Sequence, residues 1–375
     1  MPALTVYRLT FPGGLHVGTR GVTLEESGVG IPADTLFAAL IDACRRSGDP
    51  AAFVEPFLRD APFLLSSAFP FAGAVRFFPM PVPLQRFFTE RTLKERRKDI
   101  QKIRYVSEAL WRRMLAGETL DAWLFPADRK GEPKAGVALQ GGTFWLTAEE
   151  SKGLPGHFRL NGRTGRPIAL CALREHSVYA NARVPRVTVD RISSASTIYH
   201  AGRVTFAPGC GLWFGVEWRA PQALSAGVPF AQRLRDLLTV LSEDGLGGER
   251  TAGYGAFRYQ EEKDPLPLPD VTPGGLALLL SRYHPRAAEL PTALSGAGTA
   301  YTLESVAGWL RSWDGAAQRR KRLWLVSEGS VIRTVGAPPW GDVTDVRPDY
   351  DAASGALPHP VWRYGLALAA GLKEV

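Results

Sequence analysis

Five of the eleven residues from Gly245 to Gly255 are glycine. A glycine leaves its backbone N–H open to close approach, so a run this dense is suited to cradling phosphates. It is not a Walker loop, because it contains no Gly-Lys-Ser/Thr, and Gly245-x-Gly247 lacks the third glycine of a dinucleotide fingerprint. The run also leads out of a helix into a strand, the reverse of both motifs. The structural alternative is a tight helix-to-strand connection, which needs only a pair of glycines.

Basic residues supply the second chemistry. From Ser151 to Arg191 there are eight Lys or Arg (Lys152, Arg159, Arg163, Arg166, Arg174, Arg183, Arg186, Arg191), opposed by Glu175 and Asp190. Tyr179, Tyr199 and Phe206 are interleaved with or close to them. Arginines that take phosphates beside aromatics that stack on bases suit a nucleic-acid surface. A solvated charged face is the plainer reading of the same residues.

Catalytic constellations are poor. The six histidines (His16, His157, His176, His200, His284, His359) form no HExxH and no paired metal spacing, and no GxSxG occurs. His16 follows the first strand in a Gly-rich loop, where a general base can work, or where a histidine packs or hydrogen-bonds backbone or phosphate. Asp34 reads as a helix N-cap. Asp342, Asp345 and Asp349 lie among Pro338, Pro339 and Pro348 and read as a surface loop rather than a metal site. No metal or cofactor is expected.

The chain has 375 residues, 45% of them hydrophobic, enough for two domains, or one domain with large insertions, with sizeable cores. Net charge is +8 with a pI near 9.5, which suits a polyanionic partner. Cys44, Cys171 and Cys210 are odd in number and far apart, so neither a disulfide framework nor a CxxC metal knuckle is expected. The first residues enter a strand directly, and no apolar run is long enough to span a membrane, which favours the cytoplasm.

The elements that must position these residues follow from periodicity. Leu4 to Leu9 alternates as a strand; Leu36, Phe37, Leu40, Ile41 and Cys44 share a helical face after Asp34. Residues 91–116 carry a helical apolar stripe with a basic surround. Val184, Val187, Val189 and Ile192 give residues 176–200 the β-branched character of a hairpin with a small polar tip at Ser193–Ser196, and a further hairpin is expected around Pro208–Gly211. Phe230, Leu234, Leu237, Leu238 and Leu241 mark the helix before the glycine run, and Ala256–Tyr259 the strand after it. Residues 261–273 have linker composition. Beyond them come a strand at Leu276–Ser281, a helical patch at Leu303–Trp313, and strands near Leu323, Val331 and Val361. The expected fold class is α+β, with two ferredoxin-like (RRM-like) domains carrying insertions. Residues 1–260 form the first, with basic insertions over about 86–200, a β-hairpin thumb and the Gly-rich loop at 245–255. Residues 274–375 form the second.

A glycine-rich loop between helix and strand on this pattern resembles the RAMP superfamily of CRISPR proteins. Gly14-Leu15-His16-Val17-Gly18, Ile31–Phe37, Val184–Ser196, Leu280–Pro285, Glu328-Gly329-Ser330 and Val361–Gly365 are similar, in order, to the fourth-subunit family of type III-A (Csm) complexes. The resemblance implies a non-catalytic subunit that caps the 5′ repeat-derived tag of the guide RNA (crRNA). Its partners would be a large polymerase-like subunit and a RAMP backbone subunit, with target RNA met indirectly and no membrane involved. The implied RNA contacts are His16, Gly18 and Arg20; Gly245, Gly247, Gly248, Arg250, Gly253 and Gly255; and, on the thumb, Arg183, Arg186 and Arg191. This loop relies mainly on Arg250 where many relatives use Ser or Lys. The alternatives are a RAMP endoribonuclease that processes the guide precursor and the equivalent type III-B subunit.

Overall fold

A computed structural model describes residues 2–18, 27–189, 196–310, 318–348, 357 and 359–374. It is an α+β structure built on one large mixed sheet. Strand β1 (Ala3–Thr10) runs antiparallel to the Arg258–Glu261 strand on one side and to β10 (Cys210–Trp218) on the other. Beyond β10 come β2 (Phe63–Leu65) and β3 (Phe69–Ala72), then β4 (Val75–Pro79), β5 (Tyr105–Ser107), β7 (Phe144–Thr147) and β6 (Gly136–Leu139). Only the β5–β7 pair in this sheet is parallel. β1 is paired on both edges, and Leu4, Val6, Tyr7 and Leu9 are all buried, so neither of its faces is open to solvent.

Two helices cover this half. The Ala33–Ser47 helix buries Leu36, Phe37, Leu40, Ala43 and Cys44 against Leu234, Leu237, Leu238 and Leu241 of the Phe230–Asp244 helix, both as their apolar spacing requires. The same core continues into the C-terminal segment, where Phe37 meets Tyr364 at 4.9 Å between ring centroids and the Leu65 amide donates to the Tyr364 hydroxyl at 2.9 Å. There, Val331–Arg333, Leu276–Leu279 and Ala369–Leu372 form a three-stranded antiparallel sheet, with a short helix at Leu290–Ser295. Within the stretch of linker composition, Leu266–Pro267 pairs with β1.

Four expectations are corrected. Residues 91–116 are not one helix: β5 interrupts them, because Tyr105–Ser107 completes the sheet beside β4, and the helix resumes at Glu108–Leu115. Leu303–Val306 and Trp309–Leu310 are strands, paired with Leu323–Val326 and Gln318–Arg319. No hairpin closes around Pro208: β9 (Ser196–Phe206) pairs with β8 (Tyr179–Val189), whereas β10 joins the main sheet. Asp34 does not cap its helix. The Ala33 amide there is taken by the Ser67 hydroxyl at 2.9 Å. Asp34, 1% exposed, instead accepts from Arg363 Nη1 at 2.9 Å and Arg282 Nη1 at 3.3 Å, both from the C-terminal segment.

The cysteines offer a check on this packing. Cys44 and Cys210 are buried and Cys171 is half-exposed. Burial pushes the Cys210 thiol up to about 12, and it raises that of Cys44 as well. Thiolates are the reactive form. Native protein at pH 8 is therefore expected to react with a thiol reagent at Cys171 alone, and slowly, because the Glu132 carboxylate beside that thiol raises its pKa too. In denaturant all three should react, as read by absorbance and peptide mapping.

Candidate nucleic-acid interface

The Phe230–Asp244 helix ends where Gly245 turns to φ +83 and donates its amide to Leu241 O at 2.8 Å. Leu246 is buried and anchors the loop, its amide bound to Gly255 O. Two glycines fix the path. Gly247 has φ +88, and a β-carbon there would lie 2.2 Å from His16 O; at Gly255 it would lie 2.1 Å from Leu246 O. Glu249, at φ 55, starts a short turn over Arg250–Ala252.

The residues after β1 lie directly beneath. Gly248 N donates to His16 O at 2.8 Å and Gly255 N to Gly14 O at 2.9 Å. The His16 ring, only 3% exposed, donates from Nδ1 to Gly202 O at 2.8 Å. Leu15 and Val204 exchange both backbone hydrogen bonds at 2.8 Å, so the post-strand loop grips the base of the β8–β9 arm.

That arm is a separate two-stranded sheet, eleven residues a side, in register from Tyr179 opposite Phe206 to Val189 opposite Ser196. Tyr254, buried between Gly253 and Gly255, lies under two guanidiniums of the arm. Arg186 is 5.2 Å and Arg203 5.4 Å from its ring centroid, both within cation–π range. Arg183 is exposed, as are Val187, Val189 and Ile198 farther out.

The structure thus brings His16, the Gly-rich loop, Arg183 and Arg186 into one composite surface. Gly18 is exposed beside it. Arg250 instead leans to Asp42 of the first helix, 3.7 Å away. Arg20 and Arg191 lie outside the described residues, with Asp190 and most of the arm's tip. The amides of Gly245, Gly248, Gly253 and Gly255 all donate to protein carbonyls. These four therefore build the loop and do not form a phosphate cradle. His16 likewise braces the loop from below. Arg203 and Tyr254 escaped the sequence reading; the one available sign was an aromatic set between two glycines.

Among the described residues of this surface no acid–base pair emerges. Asp342 accepts from His284 Nδ1 at 2.7 Å and from the Thr344 hydroxyl at 2.9 Å, far along the chain in the C-terminal segment. Asp345 is held by the amides of Val361 and Arg347; burial raises its carboxyl, but these hydrogen bonds prevail and lower it. Among the described residues no three His, Cys, Asp or Glu side chains are grouped to hold a metal ion, and no helix is long and apolar enough to cross a membrane.

Residues 272–372 match the CRISPR Csm4 C-terminal domain. The chain is 26% identical over 364 residues to the CRISPR system Cms protein Csm4 of Mycobacterium tuberculosis (strain ATCC 25618 / H37Rv), covering 96% of this chain and 95% of that one. It is 24% identical over 199 residues to the protein of the same name from Thermococcus onnurineus (strain NA1), 53% of this chain and 57% of the other. Its fold resembles a chain of the crystallised Csm3–Csm4 subcomplex of a type III-A CRISPR-Cas interference complex (TM-score 0.60, 14% identity, 99% and 100% of the two chains). It also resembles a chain of a Csm1–Csm4 cassette crystallised with pppApA (TM-score 0.54, 17% identity, 99% and 98%). Residues 272–372 thus carry the Csm4 C-terminal domain, and nearly the whole chain is similar to the Csm4 proteins of CRISPR systems.

Proposed function

We propose that this chain is the subunit of a type III-A CRISPR interference complex that caps the 5′ tag of the guide RNA, joining a large subunit to a backbone subunit. The observation that carries the reading is the basic β8–β9 arm stacked through Arg186 and Arg203 on Tyr254 of the Gly-rich loop. One rigid surface then offers arginines to phosphates and exposed aliphatic side chains to bases. The solved complexes pair Csm4 with Csm1 and with Csm3, and the partners proposed here are the counterparts of those two. The ferredoxin-like reading of residues 1–260 draws support from the strand order Arg258–Glu261, β1, β10, β2/β3, all antiparallel, with the Ala33–Ser47 helix in the first crossover and the Phe230–Asp244 helix in the last. Residues 274–375 make the second unit, reached through 261–273.

The subunit has no catalytic duty in this reading. His16, the base that the sequence singles out, is buried and committed to Gly202 O. Purified protein is expected to bind mature guide RNA and to leave it intact with or without magnesium. Arg183→Ala and Arg186→Ala should each flatten the log–log salt dependence of binding by about 0.7 of a unit or less. Metal-independent cleavage of repeat RNA, lost in His16→Ala, would overturn the reading in favour of a processing endoribonuclease. Unchanged affinity and slope in both arginine variants would remove the arm from the interface.

A further inference from the structure

The C-terminal segment carries a second arm. Leu303–Val306 pairs with Leu323–Val326, and Trp309–Leu310 with Gln318–Arg319, on the same out-and-back path. The Arg320 amide donates to Gly308 O at 3.1 Å and its guanidinium to Ala307 O at 2.6 Å, which joins the two ladders. The Lys321 amide donates to Val346 O at 2.9 Å and roots the arm on the body.

Two tryptophans on this arm face solvent. Trp309 is 57% exposed and Trp324 56%. Trp309 stands directly opposite Arg319, whose guanidinium lies 5.0 Å from its ring centroid. Residues 319–322 are Arg-Arg-Lys-Arg. Glu304 is the one acid among the described residues of the arm, and Arg282 already binds its carboxylate. Large aromatic faces held in water beside four consecutive cations match single-stranded nucleic acid, whose bases stack and whose phosphates pair with the charges. A protein partner fits less well, because buried interface cores shed charge, lysine above all.

We propose that this arm is a second RNA contact, which binds a single-stranded segment by stacking bases on Trp309 and Trp324 while Arg319 and Arg322 take phosphates. The proposal rests on reading the chain as an RNA-binding subunit, but on residues separate from the Tyr254 surface. The test uses the full chain and a fluorescein-labelled unstructured 15-mer, read by anisotropy across a salt series. One 15-mer carries the guide tag and another an unrelated sequence. A loss confined to the tag 15-mer assigns the guide as the source, and equal losses assign any single strand, the target included.

Trp309→Ala with Trp324→Ala is expected to weaken binding about tenfold or more. Trp324→Phe, which keeps a stacking face, should stay near wild type. Arg319→Gln with Arg322→Gln should lower the salt slope by about 1.4. The altered side chains are exposed, so circular dichroism should not change. Wild-type affinity and slope in the arm variants, with Arg183→Ala and Arg186→Ala impaired, would overturn the second contact and leave the first. Wild-type behaviour in all of them would overturn both. Arm variants that bind RNA normally but fail to co-purify with the other subunits would also overturn it, and would make the arm a protein-docking surface.

Discussion

Gly247→Val is expected to abolish guide-RNA retention and to cost about 2–4 kcal/mol of stability, through left-handed strain and broken hydrogen bonds. Gly247 sits at φ +88, and its β-carbon would meet the His16 carbonyl at 2.2 Å, with backbone rather than a flexible side chain in the way. That carbonyl accepts the Gly248 amide. The loop can admit valine only by lifting off His16, which frees the ring that holds Gly202 and moves Tyr254 from beneath Arg186. Gly253 is the matched control. It has nearly the same φ, +84, but nothing lies within 4 Å of its β-carbon position. Gly253→Ala should cost only about 1–2 kcal/mol, the strain of a left-handed residue, and should retain guide RNA. Urea denaturation and filter binding read both quantities. Guide retention at the wild-type level in Gly247→Val would mean that the loop plays no part in the interface.

Asp34→Ala should destabilise the fold by about 3–5 kcal/mol, because it strands buried positive charge. The Asp34 and Arg363 side chains are 1% and 7% exposed, and Arg282 13%. Burial lowers the pKa of the Arg363 guanidinium and repulsion from Arg282 lowers it further, against the pull of Asp34. Without the carboxylate, two guanidiniums face each other. Replacing Asp34 and Arg363 together with apolar residues of similar volume should recover much of the loss, because Arg282 keeps Glu304 as a partner, whereas a charge-solvated site would lose under about 1 kcal/mol in Asp34→Ala alone. Equilibrium denaturation by tryptophan fluorescence distinguishes these outcomes.

Asp34 also shows what the sequence left hidden. An acid at the start of an apolar-periodic helix reads as a cap, and its true partner Arg363 is 329 residues away. Local signals served well where local forces decide the structure. Leu36, Phe37 and Leu40 in one helix, Leu234, Leu237 and Leu238 in the other, and the β-branched run from Val184 to Val189 all formed the elements their spacing requires. They failed where pairing overrides periodicity. Tyr105–Ser107 continues a helical stripe but finds an open place beside β4, and Leu303–Val306 finds a partner some twenty residues on. The site was legible in outline, since glycine density locates the loop. Its interior was not, because the loop's amides turn inward to Gly14 and His16, and only the folded chain brings those residues under it.

The Tyr254 stack has a mechanical consequence. The β8–β9 arm is a beam gripped at its root and propped partway along. The prop is at Arg186, opposite Tyr199, and three described rungs extend past it, about 10 Å at strand rise. Without the prop, the outermost remaining hold would be the His16 bond to Gly202, opposite Arg183, which doubles the overhang to six described rungs. The deflection of an end-loaded beam grows with the cube of its free length, so the far end would become about eightfold more compliant for the same strand spacing. Tyr254 is therefore a stiffener, and the precision with which the arm can meet a ligand is set by one aromatic ring in a loop that belongs to another part of the fold.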